Sequence, residues 1–399
     1  MEVKYSMKEN HVSRRMFCKA GAAAGLAFWA GRALADDQTY PVHYPIPALD
    51  SSYIYYCPEL REITAPGKLI HPDGTAFCSW SRRPYLELNF EDARFYSAPY
   101  FQRFRMKKWD MYHLITPSHY LSFLISWIGY AAFASGLVYD RASKKVFEGF
   151  SLLPPRPELK MMRDSTTGLT QFKSGSAQMS FEVIGERRRI KIAWPKFAGE
   201  GLDADIMLEL PASAEMICAT HLTNPRRMHY DVKIACMTAQ GELKLAGKNF
   251  SLEPENSFGM LDFSRGFPPN KIFWYWAVSS GRDEQGKPIG FNLGHGNSPA
   301  QTNENAIFYD GRVHKIGQTR CQVPQENLMS EWRIWSEDGR IELKFSPENV
   351  RYSNLKIGSL HSIGNPALGT YSGAVRLDDG RTIAIRDLFG LYEWFDQKW

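Results

Sequence analysis

The chain has 399 residues, of which 44% are hydrophobic, 23% charged and 14% aromatic, enough apolar mass for one large core or two medium ones. This balance excludes collagen-like, coiled-coil and disordered classes. The scattered glycines and prolines form neither a low-complexity tract nor a repeat. Most of the formal net charge of +5 sits in residues 1–35, where six basic residues (Lys4, Lys8, Arg14, Arg15, Lys19, Arg32) face two acids (Glu2, Glu9). The remainder is close to neutral and lacks the cationic excess of a nucleic-acid binder.

The N-terminal segment reads as an address. Ser13-Arg14-Arg15-Met16-Phe17-Cys18-Lys19 fits the twin-arginine export pattern, with Cys18 where an aliphatic residue is commoner. A weakly apolar stretch follows, and Ala33 and Ala35 supply the small residues of a signal-peptidase site, so the mature chain is expected to begin near Asp36 in the periplasm or outside the cell. The export translocon is then a transient partner. Five cysteines remain after cleavage: Cys57, Cys78, Cys218, Cys236 and Cys321. The odd count leaves at least one thiol unpaired in the monomer, and the wide spacing contains no C-x-x-C. An oxidising compartment permits a bridge such as Cys57 to Cys78.

Residues 120–139 carry no formal charge and are long enough to cross a bilayer. The stretch is nevertheless rich in aromatic and β-branched residues and divides at Ile128-Gly129-Tyr130, which predicts two buried strands and no membrane span. From about residue 105 onward, short β-rich segments alternate with turn signals. Gly185-Glu186, Gln240-Gly241, Asp310-Gly311, Asp338-Gly339 and Asp379-Gly380 are the expected hairpin turns, because Gly and Asp tolerate positive φ. No long amphipathic helix interrupts the series. The expected fold is all-β, with two consecutive antiparallel barrels or sandwiches spanning residues 36–225 and 226–399. The seam is placed at the polar, Pro-containing stretch His221-Leu222-Thr223-Asn224-Pro225.

The sequence has no H-E-x-x-H, G-x-S-x-G or G-x-x-x-x-G-K-[ST], and its histidines show no metal-ligand spacing. No metal or organic cofactor is expected. The densest pattern lies between Phe258 and Lys315. It comprises Asp262-Phe263-Ser264-Arg265-Gly266, Phe273-Trp274-Tyr275-Trp276-Ala277, Gly290-Phe291-Asn292-Leu293-Gly294, Asn303-Glu304-Asn305 and Asp310-Gly311-Arg312-Val313-His314-Lys315.

This succession of D-x-x-R-G, W-x-W-A, G-x-N-L-G and D-G-x-x-H-K resembles the domain-of-unknown-function 2804 family. Trp109-Asp110-Met111-Tyr112 and Gly390-Leu391-Tyr392-Glu393 also fit it. The resemblance names no reaction. That family is in turn similar to the two-barrel, lipocalin-like carotenoid hydratases, which implies a hydrophobic isoprenoid or lipid-like ligand and no organic cofactor.

Strand periodicity assigns faces to these residues. Trp274 and Trp276 point one way with Ile272 and Val278, and Phe273 and Tyr275 point the other. Gly290 and Gly294 flank Asn292 on one face; the vacant positions leave room either for a ligand or for a bulky neighbour. Asp262 shares parity with Phe258 and Met260, so its carboxyl faces apolar surroundings. Paired with Arg265 it would be a buried salt bridge; unpaired, it would be a desolvated acid able to donate a proton. Glu304 and His314 form a second expected acid–base pair at a barrel mouth, with Asp310 and Glu393 as further titratable candidates. Two functions fit these expectations. One is a cofactor-independent enzyme that protonates, hydrates, isomerises or cyclises a hydrophobic substrate, with a cation held by Trp274, Tyr275 and Trp276 at about 2 kcal/mol or more per ring. The other is a non-catalytic periplasmic carrier using the same lumen, and a structural protein with filled barrels is the third alternative.

Overall fold

The computed structural model describes residues 61–95, 102, 104–153, 159–211, 213–224, 227–296, 304–357 and 360–398. Arg14, Arg15, Ala33, Ala35, Cys57, Pro225 and Asn303 lie outside the described residues. Three two-residue strands open the described chain: β1 (Gly67–Lys68), β2 (Trp80–Ser81) and β3 (Leu86–Glu87).

A meander follows of β4 (Lys107–Ile115), β5 (His119–Trp127), β6 (Ala132–Asp140) and β7 (Lys145–Leu153), then β8 (Gly168–Ser174), β9 (Ala177–Ile184), β10 (Arg187–Trp194) and β11 (Leu202–Glu209). Next come β12 (Ile217–Asn224), β13 (Arg227–Leu245), β14 (Lys248–Leu252) and β15 (Phe258–Gly266). The remaining strands are β16 (Lys271–Arg282), β17 (Pro288–Gly296), β18 (Ala306–Tyr309), β19 (Arg312–Lys315), β20 (Thr319–Gln322) and β21 (Trp332–Ser336), then β22 (Ile341–Val350), β23 (Ser353–Ile357), β24 (Leu360–Arg376) and β25 (Thr382–Lys398). The fold is all-β, and no described helix is long and apolar enough to cross a membrane.

Two large antiparallel sheets result. The first runs β7-β6-β5-β4-β15-β13-β11-β10-β9-β8 and nearly closes, with Ser174 Oγ donating to the Leu152 carbonyl at 3.0 Å across the gap. The second runs β19-β18-β17-β16-β25-β24-β22-β21-β20 and forms a half-barrel. Because β12 to β15 all belong to the first sheet, the change of sheet falls at residues 267–270 and not at the expected 225/226 seam. Residues 221–224 of that polar stretch are the end of β12, whose antiparallel neighbour is β13.

Residues 120–139 form the buried hairpin β5–β6, as the charge-free but divided pattern predicted. Four of the five expected turns connect adjacent strands. Gln240-Gly241 does not: β13 continues through it, and Gly241 takes φ +144° where a Cβ would meet the Asp205 carbonyl oxygen at 2.2 Å. That glycine serves a close strand approach. The bend in β13 comes earlier, at a bulge between Ile234 and Met237 where Cys236 has φ +60°.

Alternation along these strands separates three apolar layers. Tyr112, Phe123, Phe181 and Phe263 fill the first barrel, and Tyr275, Phe291, Trp332 and Tyr392 fill the concave side of the second sheet. The outer faces of the two sheets pack against each other through Met111, Leu124, Leu137, Met260, Trp276, Leu368 and Leu391. Cys78 is disulfide-bonded, whereas Cys218, Cys236 and Cys321 are free thiols.

Candidate functional site

The layer between the sheets carries a buried polar cluster, and strand register assembles it. On the first sheet Lys233 of β13 lies opposite Asp262 of β15, which lies opposite Met111 of β4. Two residues along, Asp231 pairs with Ser264 and Ser264 with Trp109. Period two therefore turns Trp109, Asp231, Lys233 and Asp262 to one face. On the second sheet Trp276 of β16 lies opposite Glu393 of β25, with Trp274 one step further along the same face. The faces meet.

Lys233 Nζ stands 2.5 Å from Asp262 Oδ1 and 3.4 Å from Glu304 Oε1, and Trp109 Nε1 donates to the same Asp262 oxygen at 3.2 Å. Asp231 holds His229 at 3.0 Å. Trp274 Nε1 donates to Glu393 Oε1 at 3.1 Å, while Glu393 Oε2 is buried with no hydrogen-bond partner. The Lys233 ammonium lies 5.2 Å from the Trp276 ring centroid, a cation–π distance.

These environments divide the ionisable groups by role. Burial works against the Lys233 cation, but Asp262, Glu304 and Asp231 together outweigh it and hold its pKa above the ordinary value. Burial pushes Asp262 up to about 6 against the opposing pull of Lys233. Burial also pushes Glu393 up to about 8, opposed by the Trp274 hydrogen bond and reinforced by the Asp262 charge. Glu393 is thus a neutral acid near pH 7, beside the Asp262 carboxyl, which ionises at lower pH. Further along, the Arg351 guanidinium forms an ion pair with Glu148, bridging the two sheets. Desolvation raises Glu148 to about 7.

Of the residues singled out from sequence, the structure brings together Asp262, Glu304, Trp274, Trp276 and Asn292. The amide of Asn292 is held at both atoms: its Oδ1 accepts from Trp276 Nε1 at 2.8 Å and its Nδ2 donates to the Glu304 carbonyl at 3.1 Å, so it fixes the indole. The space beside it at Gly290 is taken by protein, since a Cβ there would lie 2.9 Å from Ser280 Oγ and 3.0 Å from Cys236 Sγ.

Three expected residues lie elsewhere. Arg265 does not pair with Asp262, because residues three apart in a strand point to opposite faces. It turns into the first barrel, where Nη2 donates to Asp110 Oδ1 at 2.7 Å and to the Met162 carbonyl at 2.8 Å. Tyr275 turns into the second barrel and stacks on His295 at 4.5 Å. His314 pairs with Asp378 at 3.2 Å and not with Glu304. Its strand neighbour Ile307 belongs to the interior of the second sheet.

Sequence reasoning passed over Lys233 and His113. Lys233 had a visible signal, a lone cation between Val232 and Ile234 in an apolar strand. His113 sits on the site face of β4, its Nδ1 2.5 Å from Tyr120 Oη and its ring 5.2 Å from that of Trp276. Among the described residues no group of three His, Cys, Asp or Glu side chains is arranged to hold a metal ion.

The chain is similar to two solved structures and to one family. A Nitrosomonas europaea protein named as an AttH candidate shares 13% identity over 73% of this chain and 92% of its own, with a TM-score of 0.44. Kievitone hydratase from Nectria haematococca shares 10% identity over 73% of this chain and 88% of its own, with a TM-score of 0.41. No curated protein matches the chain. The profile of the domain of unknown function DUF2804 matches residues 60–399, and the chain belongs to that family.

Proposed function

We propose that the protein binds a hydrophobic, isoprenoid-like molecule between its two sheets and transfers a proton to a carbon–carbon double bond of it. The observation that carries this reading is Glu393: a buried carboxyl, neutral near pH 7, with one oxygen held by Trp274 and the other unpartnered. Its proton passes to one alkene carbon, the π pair forming the new C–H bond. The cationic carbon left behind is faced by Trp274, Trp276 and the carboxylates of Asp262 and Glu304, which favour positive charge. Capture by water, with the released proton returning to Glu393, gives hydration; loss of a neighbouring C–H proton to the same carboxylate gives isomerisation. Asp262 and Glu304 both stand against the Lys233 ammonium and act through charge. We also propose twin-arginine export, supported by Arg14, Arg15, Ala33 and Ala35 and by the disulfide at Cys78.

Incubating the protein with the sesquiterpene farnesol in deuterated water tests the chemistry. Deuterium enters carbon-bound positions with the wild type and not with Glu393→Gln. Equal incorporation by both would overturn the assignment of the acid.

A further inference from the structure

Beyond the acid, the site face of the first sheet presents polar atoms that the protein itself leaves unused. His113 is 1% exposed and its Nε2 has no hydrogen-bond partner. Ser122 lies directly across the strand pair from His113, and Ser135 lies diagonally beyond it on β6; both hydroxyls are buried and unpartnered. All three share the face that carries Met111, Leu124 and Leu137 toward the second sheet. Buried polar groups without partners are costly and rare, and here three of them gather in one apolar layer next to Trp276.

The state of His113 is set by Tyr120. Burial pushes the imidazole down to about 3, with the Lys233 charge acting the same way, so it is neutral. The Tyr120 hydroxyl stands 2.5 Å from Nδ1, and as a neutral phenol, its pKa raised by burial, we assign it as the donor there. The imidazole proton is then on Nε2, a donor without an acceptor. Because Glu393 pairs in register with Trp276 and the Trp276 ring touches His113, this donor and the Glu393 acid flank one indole.

We infer that the ligand carries an oxygen function, a carbonyl or hydroxyl, that accepts the Nε2–H of His113 and is completed by Ser122 and Ser135. This rests on the inter-sheet reading above and narrows its substrate to an oxygenated lipophile, held by its oxygen on one side of Trp276 with its double bond at Glu393 on the other. His113 is a binding residue, and Tyr120 acts through it as a positioning residue. Sites built to hydrogen-bond an oxygen discriminate against analogues that lack one, whose binding leaves buried donors unpaired.

Affinities for farnesol, farnesal and the hydrocarbon farnesene, measured by intrinsic tryptophan fluorescence, test the inference. The wild type should prefer the oxygenated probes by about tenfold or more. His113→Phe, which keeps the ring and removes the donor, should abolish the preference while leaving farnesene binding intact. Tyr120→Phe keeps the ring shape, guards against misfolding in the first variant, and should reduce the preference by freeing Nδ1. Equal wild-type affinity for all three probes would overturn the oxygen assignment while leaving the inter-sheet reading standing. A preference unchanged in His113→Phe would do the same. Failure of every probe to bind would overturn both.

Discussion

Replacing Glu393 by Gln keeps the acceptor for Trp274 Nε1 and nearly the same shape, but removes the titration. The wild-type carboxyl moves from an ordinary 4.5 to about 8 in the folded protein because burial disfavours its charged form. A carboxyl whose folded pKa is raised binds more protons folded than unfolded. Its stabilising contribution is complete below pH 4.5 and is lost as pH rises toward 8. At 1.36 kcal/mol per pKa unit, the loss relative to a non-titrating amide is about 2 kcal/mol at pH 6 and about 4 kcal/mol at pH 8. The difference in unfolding free energy between Glu393→Gln and wild type should therefore grow in favour of the variant across that window. Below pH 4.5 the curves should run parallel. Urea denaturation at one-unit pH steps measures it, and the same comparison in an Asp262→Asn background separates the Glu393 titration from that of Asp262, whose charge acts on it. A difference independent of pH between 5 and 8 would mean that Glu393 is not a buried neutral acid, and the proton-donor role would go with it.

Other expectations follow from named contacts. Asp110→Ala strands the Arg265 guanidinium, 1% exposed, inside the first barrel and should cost about 3–5 kcal/mol in denaturant titrations. Lys233→Met leaves Asp262, which titrates at about 6, without its cation, so its destabilisation should increase from pH 5 toward pH 8; a pH-independent loss would indicate packing alone. Gly290→Ala should cost about 1–3 kcal/mol, because the new methyl meets the Ser279 carbonyl oxygen at 2.6 Å. Cys236→Ala in the same chain should restore only part of the loss, since the backbone clash stays. Reducing the disulfide at Cys78 should lower the midpoint of thermal unfolding.

What could be read from the sequence was local. Turn chemistry located four of the hairpins, and alternation put Trp274 and Trp276 on one face and Tyr275 on the other, as found. The parity that placed Asp262 with Met260 was also right. The choice of Arg265 as its partner broke that same rule, since an offset of three crosses the sheet. Its true partner, Lys233, comes from a different strand, and register between distant strands depends on turn lengths and bulges that no single segment encodes. Glu304 and His314 flank one hairpin, yet Glu304 faces Lys233 and His314 faces Asp378. The seam at 225 followed composition, whereas β13 bends at Cys236 and keeps the chain in the first sheet for two more strands. Glu393 was visible only as one acid among several, because its raised pKa arises from burial between sheets.

Strand β4 alternates two vocabularies. Trp109, Met111 and His113 address the space between the sheets, while Asp110, Tyr112 and Leu114 address the barrel interior. A one-residue insertion there would exchange them, sending the imidazole inward and stranding a carboxylate among the indoles. The polar face between the sheets and the integrity of the barrel are written on the same nine residues of β4, so neither can drift in length without the other.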